Sequence, residues 1–418
     1  MKNFPVEKPS RSDLNGNFPA SREITKLKWV CELKYGSSLS DENRIIGSIP
    51  VYGSNGIVGY HNMSITQKPV IIIGRKGSFG KINYSNEKCF PIDTTYYIDQ
   101  TATRNNLRWL FYALNTLELD SISKDSAVPG LSREEAYKKL VVFPSLDEQK
   151  KIALFLDSET QKIDSLISKK QTLIDLLKEE RAAIINQAVT KGIDPNVEMK
   201  DSGIEWLGRI PKHWRPVPLK KHLLSVVDYR GKTPTKREDG EIFLVTARNI
   251  KGGIINYTLS QEYISKDDYN QVMQRGKPII GDVLFTTEAP LGEVASVDRD
   301  DIALAQRIIK FRANPEYLDN YYLKEWLSSQ SFQNNLQSYA TGSTALGIKA
   351  SKLNFLKLLL PPLGEQKMIL YYISEEKAKI DNSIVNIQKE IALLQEYRTA
   401  LISEVVTGKF DVRQEVVS

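Results

Sequence analysis

Pro144-Ser145-Leu146-Asp147-Glu148-Gln149-Lys150-Lys151-Ile152 returns 217 residues later as Pro361-Pro362-Leu363-Gly364-Glu365-Gln366-Lys367-Met368-Ile369. The match runs without a gap from 125–194 to 342–411. Lys162-Ile163-Asp164 answers Lys379-Ile380-Asp381, and Leu176-Leu177-Lys178-Glu179 answers Leu393-Leu394-Gln395-Glu396. Identities spread this widely mark a tandem duplication. Each copy reads as a long helix. Apolar residues fall at Ile163, Ile167, Ile174, Leu177, Ile184 and Ala188 in the first, and at Ile380, Ile384, Ile387, Ile391, Leu394, Leu401 and Val405 in the second. Steps of three and four give the 3.5-residue period of a coiled-coil seam. No proline or glycine interrupts 149–191 or 366–407. Forty-odd residues at about 1.5 Å each predict rods of roughly 60 Å. Each helix needs an apolar mate, and the other copy is the nearest, so antiparallel pairing within the chain is expected.

Arg181 and Arg398 break the seam at equivalent positions, and Lys170 breaks it once. Long cationic side chains at such sites snorkel outward or fix register by pairing across the seam. The alternative is that they grip a partner.

At 418 residues the chain has room for two or more domains. Its hydrophobic content of 41% and charged content of 26% are ordinary for a soluble globular protein. A net charge of +6 suits a polyanionic partner but does not demand one. Two cysteines without a CxxC spacing and three scattered histidines argue against a structural zinc site. The first residues, MKNFPVEKPSRSDL, hold no apolar core resembling a signal peptide, and apolar runs are too short to span a bilayer. A cytoplasmic protein with no membrane association is expected.

The expected fold class is α+β, with two globular strand-rich domains separated by two long helices in a pseudo-twofold tandem repeat. The boundaries are 1–144 for the first domain, 145–192 for the central helix, 193–214 for a connector, 215–361 for the second domain, 362–411 for the C-terminal helix and 412–418 for a tail. Short β-branched runs such as Pro69-Val70-Ile71-Ile72-Ile73 and Asp282-Val283-Leu284-Phe285 stand in matching places. Helical spacing covers 107–117 and 318–337. The segments leading into the two domains correspond at an offset of 192 and their exits at 217, so the second domain carries about 25 extra residues. The connector reads as packed, anchored by Trp206 and Trp214 and free of Gly/Ser tracts.

Catalytic motifs are not found. Gly74-Arg75-Lys76-Gly77-Ser78-Phe79-Gly80-Lys81-Ile82 fails as a phosphate loop, because Arg75 stands where the first glycine belongs and Ile82 where Ser or Thr is needed. The single Pro-Pro follows Leu360, which is not the Asn/Asp-Pro-Pro-aromatic loop of an adenine methylase. What remains is loop chemistry suited to phosphates and bases. In the first domain it comprises Tyr52, Ser54 and Asn55, then Arg75, Lys76, Ser78 and Lys81 in a glycine-rich turn. In the second it comprises Arg230, Lys232, Thr233 and Lys236, then Arg248, Asn249 and Lys251, with Arg307 after Gln306 and Ser343 in a small-residue loop before the helix. Arg suits guanine, and Asn or Gln suits adenine. Any one loop taken singly reads better as an exposed turn with solvated charges; their accumulation in both domains favours DNA.

These residues resemble the specificity subunit of type I restriction–modification systems. The resemblance rests on the twin Pro-x-Leu-x-Glu-Gln-Lys segments with their helices and on Asp201-Ser202-Gly203-Ile204-Glu205-Trp206-Leu207-Gly208 through Ile210-Pro211 and His213-Trp214. Ile49-Pro50-Val51-Tyr52-Gly53-Ser54-Asn55-Gly56 is similar too. It covers essentially the whole chain; one departure is Asn17-Phe18-Pro19-Ala20-Ser21, where the second half has a fuller tryptophan-bearing approach. It implies two target-recognition domains, each reading half of a split double-stranded DNA site, on an antiparallel coiled coil. It also implies two modification (methyltransferase) subunits that bind S-adenosylmethionine, and two ATP-dependent motor-nuclease restriction subunits. The cofactors S-adenosylmethionine, ATP and Mg are then expected in those partners and none in this chain. Half-sites about one helical turn (~34 Å) apart would face one side of the duplex. Two rivals stand beside this reading: a coiled-coil adaptor with protein-binding ends, and a nuclease of unfamiliar motif.

Overall fold

A computed structural model describes residues 23–121, 130–229, 234–342 and 346–413. The chain divides into two compact units, Met1–Gln171 with Gln388–Ser418, and Thr172–Ile387. Each unit holds one strand-rich domain and a part of both long helices, Leu146–Lys191 and Leu363–Thr407.

In the first unit, Glu23–Lys26 pairs antiparallel with Leu140–Phe143, just before the central helix begins. Four antiparallel strands follow the order Lys34–Tyr35, Thr95–Ile98, Val70–Gly74, Ile82–Ser85. A second sheet sets Ile49–Gly53 between its hairpin partner Gly56–His61 and the parallel strand Phe90–Pro91. Val70–Gly74 is buried throughout because alternate side chains serve two layers. Ile71 and Ile73 join the main core with Trp109, Leu110 and Ile152, while Val70 and Ile72 pack with Tyr52 and Cys89.

The second unit repeats this plan. Its four-stranded sheet runs Leu223–Asp228, Ile308–Ala313, Val283–Thr287, Leu291–Ser296, and its three-stranded sheet sets Ile242–Val245 between antiparallel Tyr263–Ile264 and parallel Ile302–Leu304. Arg215–Pro218 pairs with Lys357–Leu360 as the closing ladder. Most of the added residues fall in one place: Val283 lies 38 residues beyond Val245, whereas Val70 lies 17 beyond Gly53. The addition supplies the hairpin Ile250–Lys251 with Ile254–Ile255 and the helix Lys266–Val272.

The helical stretch expected over 318–337 is two helices, Asn320–Ser328 and Gln330–Gln337. Ser329 adopts an extended conformation between them, and its hydroxyl accepts from the Phe332 amide at 3.3 Å, which caps the second helix.

The repeated Glu-Gln motif has a structural cause. Gln149, buried, accepts from the Asn106 amide at 2.9 Å and donates to Asn105 Oδ1 at 3.0 Å and the Pro144 carbonyl at 3.1 Å. Gln366, also buried, accepts from the Asp319 amide at 2.9 Å and donates to the carbonyls of Tyr317 and Pro361, each at 2.9 Å. Asn106 and Asp319 are the N-caps of the helices Leu107–Asn115 and Asn320–Ser328. One amide therefore ties the start of each long helix to the start of a domain helix, with both its own oxygen and its own nitrogen paired.

Within each unit the long helices run antiparallel. In the first, Arg398 bonds Asp164 (Nε–Oδ1 2.9 Å, Nη2–Oδ2 3.2 Å), and Lys170 pairs with Glu390. In the second, Arg181 Nη1 bonds Asp381 Oδ1 at 2.8 Å. Arg181–Asp381 is the repeat of Arg398–Asp164, each residue shifted by 217. The cationic seam residues thus pair across the seam and set its register. Ile163, Ile174, Ile380 and Leu401 are buried there, and Ile167, Leu177, Ile184, Ile384, Ile391 and Leu394 half-buried.

The connector is folded into the second unit. Met199–Asp201 pairs with Arg209–Pro211, Trp214 is fully buried, and its indole donates to Glu365 Oε2 at 2.9 Å. No helix among the described residues is long and apolar enough to cross a membrane.

Candidate nucleic-acid interface

Each domain gathers its loops at the tip of the central hairpin. In the first, the chain turns between Val70–Gly74 and Ile82–Ser85 through residues 75–81. Gly74 donates to the Lys81 carbonyl at 2.8 Å and accepts from Gly80 at 2.9 Å. Gly77 and Gly80 hold φ of +73° and +76°, where a side chain is strained. A Cβ on Gly74 would lie 2.2 Å from the Ser78 carbonyl oxygen and 2.9 Å from that of Ser54, so the glycine lets the neighbouring small-sheet hairpin approach.

Lys81 fastens that approach, donating to the Asn55 carbonyl at 3.1 Å and to its Oδ1 at 2.8 Å. Arg75 and Lys76 donate their amides to the Thr94 carbonyl at 2.8 and 3.2 Å, and Lys76 forms a bridge with Gly130. Ser54, Asn55, Arg75, Lys76, Ser78 and Lys81, drawn from two separate sequence segments, therefore meet in one cluster. Lys76, Ser78 and Asn55 stay exposed.

In the second domain the equivalent tip is Thr287–Leu291. Thr287 donates from its amide to the Arg307 carbonyl at 2.8 Å, and Glu288 bridges Gly347 as Lys76 bridges Gly130. Two non-glycine residues here adopt left-handed backbone conformations, Ala289 at φ 50° and Arg307 at φ 75°. Strain of this kind clusters where a side chain must be aimed. Arg307 is held by Glu288 (Nε–Oε1 2.6 Å) and Lys236 by Glu262 (Nζ–Oε2 2.7 Å). Arg307, Lys236 and Glu262 line a concavity of about 220 Å³ with Thr246, Arg248 and Gln306. Arg248 is exposed on the short turn Ala247–Asn249.

Two sequence-derived reader residues are corrected. Asn249 is fully buried and has no group left for a base: its Oδ1 accepts from the Thr246 amide and hydroxyl at 2.9 and 2.8 Å, and its Nδ2 donates to the carbonyls of Asn256 and Ser260, both at 2.9 Å. It builds the turn that presents Arg248. Tyr52 is buried with Val70, Ile72 and Cys89, and serves as core. Lys251 is exposed but lies on the added hairpin, which bridges strand Leu291–Ser296 at Ala295, away from the concavity. Arg230, Lys232, Thr233 and Ser343 lie outside the described residues.

Sequence reading missed Tyr35 and Arg133. They stand beside Arg75 in space but far from it along the chain, and nothing local marks them. Neither cysteine is poised for nucleophilic work: burial pushes the Cys31 thiol up to about 12 and that of Cys89 to about 11. Among the described residues no group of three or more His, Cys, Asp or Glu is placed to hold a metal.

Comparison with known proteins adds an independent line. The model of the type I restriction modification DNA specificity domain matches residues 20–175 and 221–393. The type I restriction enzyme MjaVIII specificity subunit of Methanocaldococcus jannaschii is 26% identical, the match covering 84% of this chain and 80% of the relative. The EcoBI specificity subunit of Escherichia coli is 24% identical over 81% of this chain and 73% of its own length. A solved chain from work on complex assembly and conformational transition of the type I R-M system superposes with a TM-score of 0.68, at 14% identity, over 94% of this chain and all of that one. The HsdS subunit from Thermoanaerobacter tengcongensis superposes with a TM-score of 0.53, at 14% identity, over 95% of this chain and 99% of its own.

Proposed function

Because this chain belongs to the type I restriction–modification DNA specificity family, we propose that it is the non-catalytic sequence-reading subunit of such a complex, each domain reading one half of a bipartite double-stranded DNA site. The two long helices set the spacing between the half-sites and dock two modification subunits. Those partners supply S-adenosylmethionine-dependent adenine methylation, and ATP-dependent restriction subunits join them for cleavage. Reading is assigned to the strand-rich domains at 1–144 and 215–361, and framing to the helices.

One observation carries the proposal. The two domains share a strand order and place a hairpin tip at the same point of it, yet fill the tip with different side chains. The ladders pair Ile73 with Tyr96 and Phe285 with Ile309, and at that register Arg75 answers Thr287 and Lys76 answers Glu288. A common scaffold with unlike tips suits an asymmetric target. Base edges discriminate through such side chains, while lysine and arginine on phosphates supply affinity.

The test is methylome sequencing of a methylation-free host that expresses this chain with its modification subunit. A bipartite, non-palindromic methyladenine motif is the expected result. An assembled complex that leaves no motif would favour an adaptor role instead.

A further inference from the structure

Arg75 and Arg133 converge on one aromatic ring. The Arg75 guanidinium carbon lies 5.1 Å from the Tyr35 ring centroid and that of Arg133 lies 5.0 Å from it. Arg75 also lies 5.9 Å from the Tyr96 ring, which is itself 5.1 Å from Tyr35. The backbone holds both arginines: the Leu131 amide donates to the Arg75 carbonyl at 2.8 Å, and the Tyr96 hydroxyl donates to the Leu131 carbonyl at 3.1 Å. Among the described residues neither guanidinium forms an ion pair with a carboxylate, although most of the arginines in the second domain's cluster and in the seam do.

Two like charges gathered on one ring with no carboxylate partner among the described residues cost Coulomb energy that an anion would reverse. Each guanidinium is planar by delocalisation, and a ring beneath its face leaves the N–H fork at the edge, a geometry that matches a phosphate better than a lysine does. Tyr35 is half exposed, so the ring and its cations are open to solvent. The second domain has no equivalent: at the same register positions Asp228 stands for Tyr35, Ile309 for Tyr96 and Thr287 for Arg75.

We propose that Arg75, Tyr35 and Arg133 form a clamp for one backbone phosphate of the DNA, anchoring the first domain independently of sequence. The clamp rests on the reading of that domain as a DNA reader. It makes the two halves unequal: the first grips the backbone beside its reading turn with a pair of arginines that the second does not repeat.

The test titrates the full chain, assembled with its modification subunit, with a fluorescent random-sequence duplex across a range of salt. Arg133→Ala is expected to reduce the slope of log affinity against log salt by about one and to weaken all sequences alike. Arg133→Lys keeps the charge but loses the fork, so it should keep the slope and bind several-fold more weakly. A wild-type slope and affinity in both variants would overturn the clamp, as would a changed methylated motif with an unchanged slope, which would make Arg133 a base reader. A wild-type complex without salt-dependent binding would sink the DNA-reading proposal itself, and the clamp with it.

Discussion

The two recognition domains share the closing ladder and the strand orders of the four- and three-stranded sheets, but they differ in how the small sheet is supported. In the first domain it rests on Tyr52, Val70, Ile72 and Cys89. In the second, seventeen buried residues surround it, including Ile250, Ile255 and Met273 from the added segment. The buried charges differ too. Asp99 of the first domain takes the amides of Gln67 and Thr101, both at 3.0 Å. The second domain places its acid on the neighbouring strand, as Asp282 between Lys310 (3.2 Å) and Arg312 (2.7 Å). The frame drifts less: Gln149 and Gln366 each tie a long helix to a domain helix, and the ion pairs Arg398–Asp164 and Arg181–Asp381 recur between the same repeat positions. A duplicated scaffold can therefore thicken and recharge its reading side as long as the bonds that seat each domain on the helices are kept.

The largest break in this comparison is expected at Asp282. Asp282→Asn leaves Lys310 buried without a counter-charge, a loss of about 3–5 kcal/mol to be read by chemical denaturation. Burial alone would raise the Asp282 carboxyl, but the Arg312 bond, the Ile279 amide and Lys310 outweigh it and hold the carboxyl below its usual value. Its stabilisation is thus present above the ordinary carboxylate range and lost as pH falls through the depressed value. Acid unfolding of the mutant should be correspondingly less steep.

Next is the seam. Ile174→Asp puts a carboxylate at a buried position and should cost about 3 kcal/mol, with loss of assembly with the modification subunits in size-exclusion chromatography. Arg248→Ala should leave assembly intact; identical behaviour of the two variants would erase the division between frame and readers.

Gln149→Leu and Gln366→Leu each strand buried amide and carbonyl groups, and each should cost about 2 kcal/mol by thermal unfolding. Unequal losses would show that the two seats are not energetically equivalent. Arg248→Ala should relax base preference in one half-site by about 1.5 kcal/mol while the other half-site in the methylome stays unchanged. The smallest effect belongs to the half-exposed seam pairs. Double-mutant cycles on Arg398–Asp164 and Arg181–Asp381 should each give about 0.2–1 kcal/mol, and high salt should reduce both.

Much of the frame was legible in the sequence. The 217-residue offset, the 3.5-residue period and the absence of helix breakers lead to two long antiparallel helices, since periodicity is a local property that needs no knowledge of the fold. The division of 318–337 was not legible. Its apolar spacing continues across Ser329, and only the cap geometry breaks it. Asn249 shows the same limit. An asparagine after Arg248 in a basic loop has the composition of a base reader, yet four hydrogen bonds, two from Thr246 and two to the carbonyls of Asn256 and Ser260, occupy it fully.

What the sequence determined by itself is the repeat, the helical frame and the basic character of the loops, because spacing and composition are written along the chain. What only the tertiary structure decided is which polar groups remain free. Arg75 meets Tyr35 and Arg133 through strand pairing and a loop bridge, Arg307 is turned onto Glu288 by a left-handed backbone, and Asn249 is spent on its own turn. Availability to a ligand is a property of the atoms that surround a side chain, and those atoms arrive from distant segments when the sheets close.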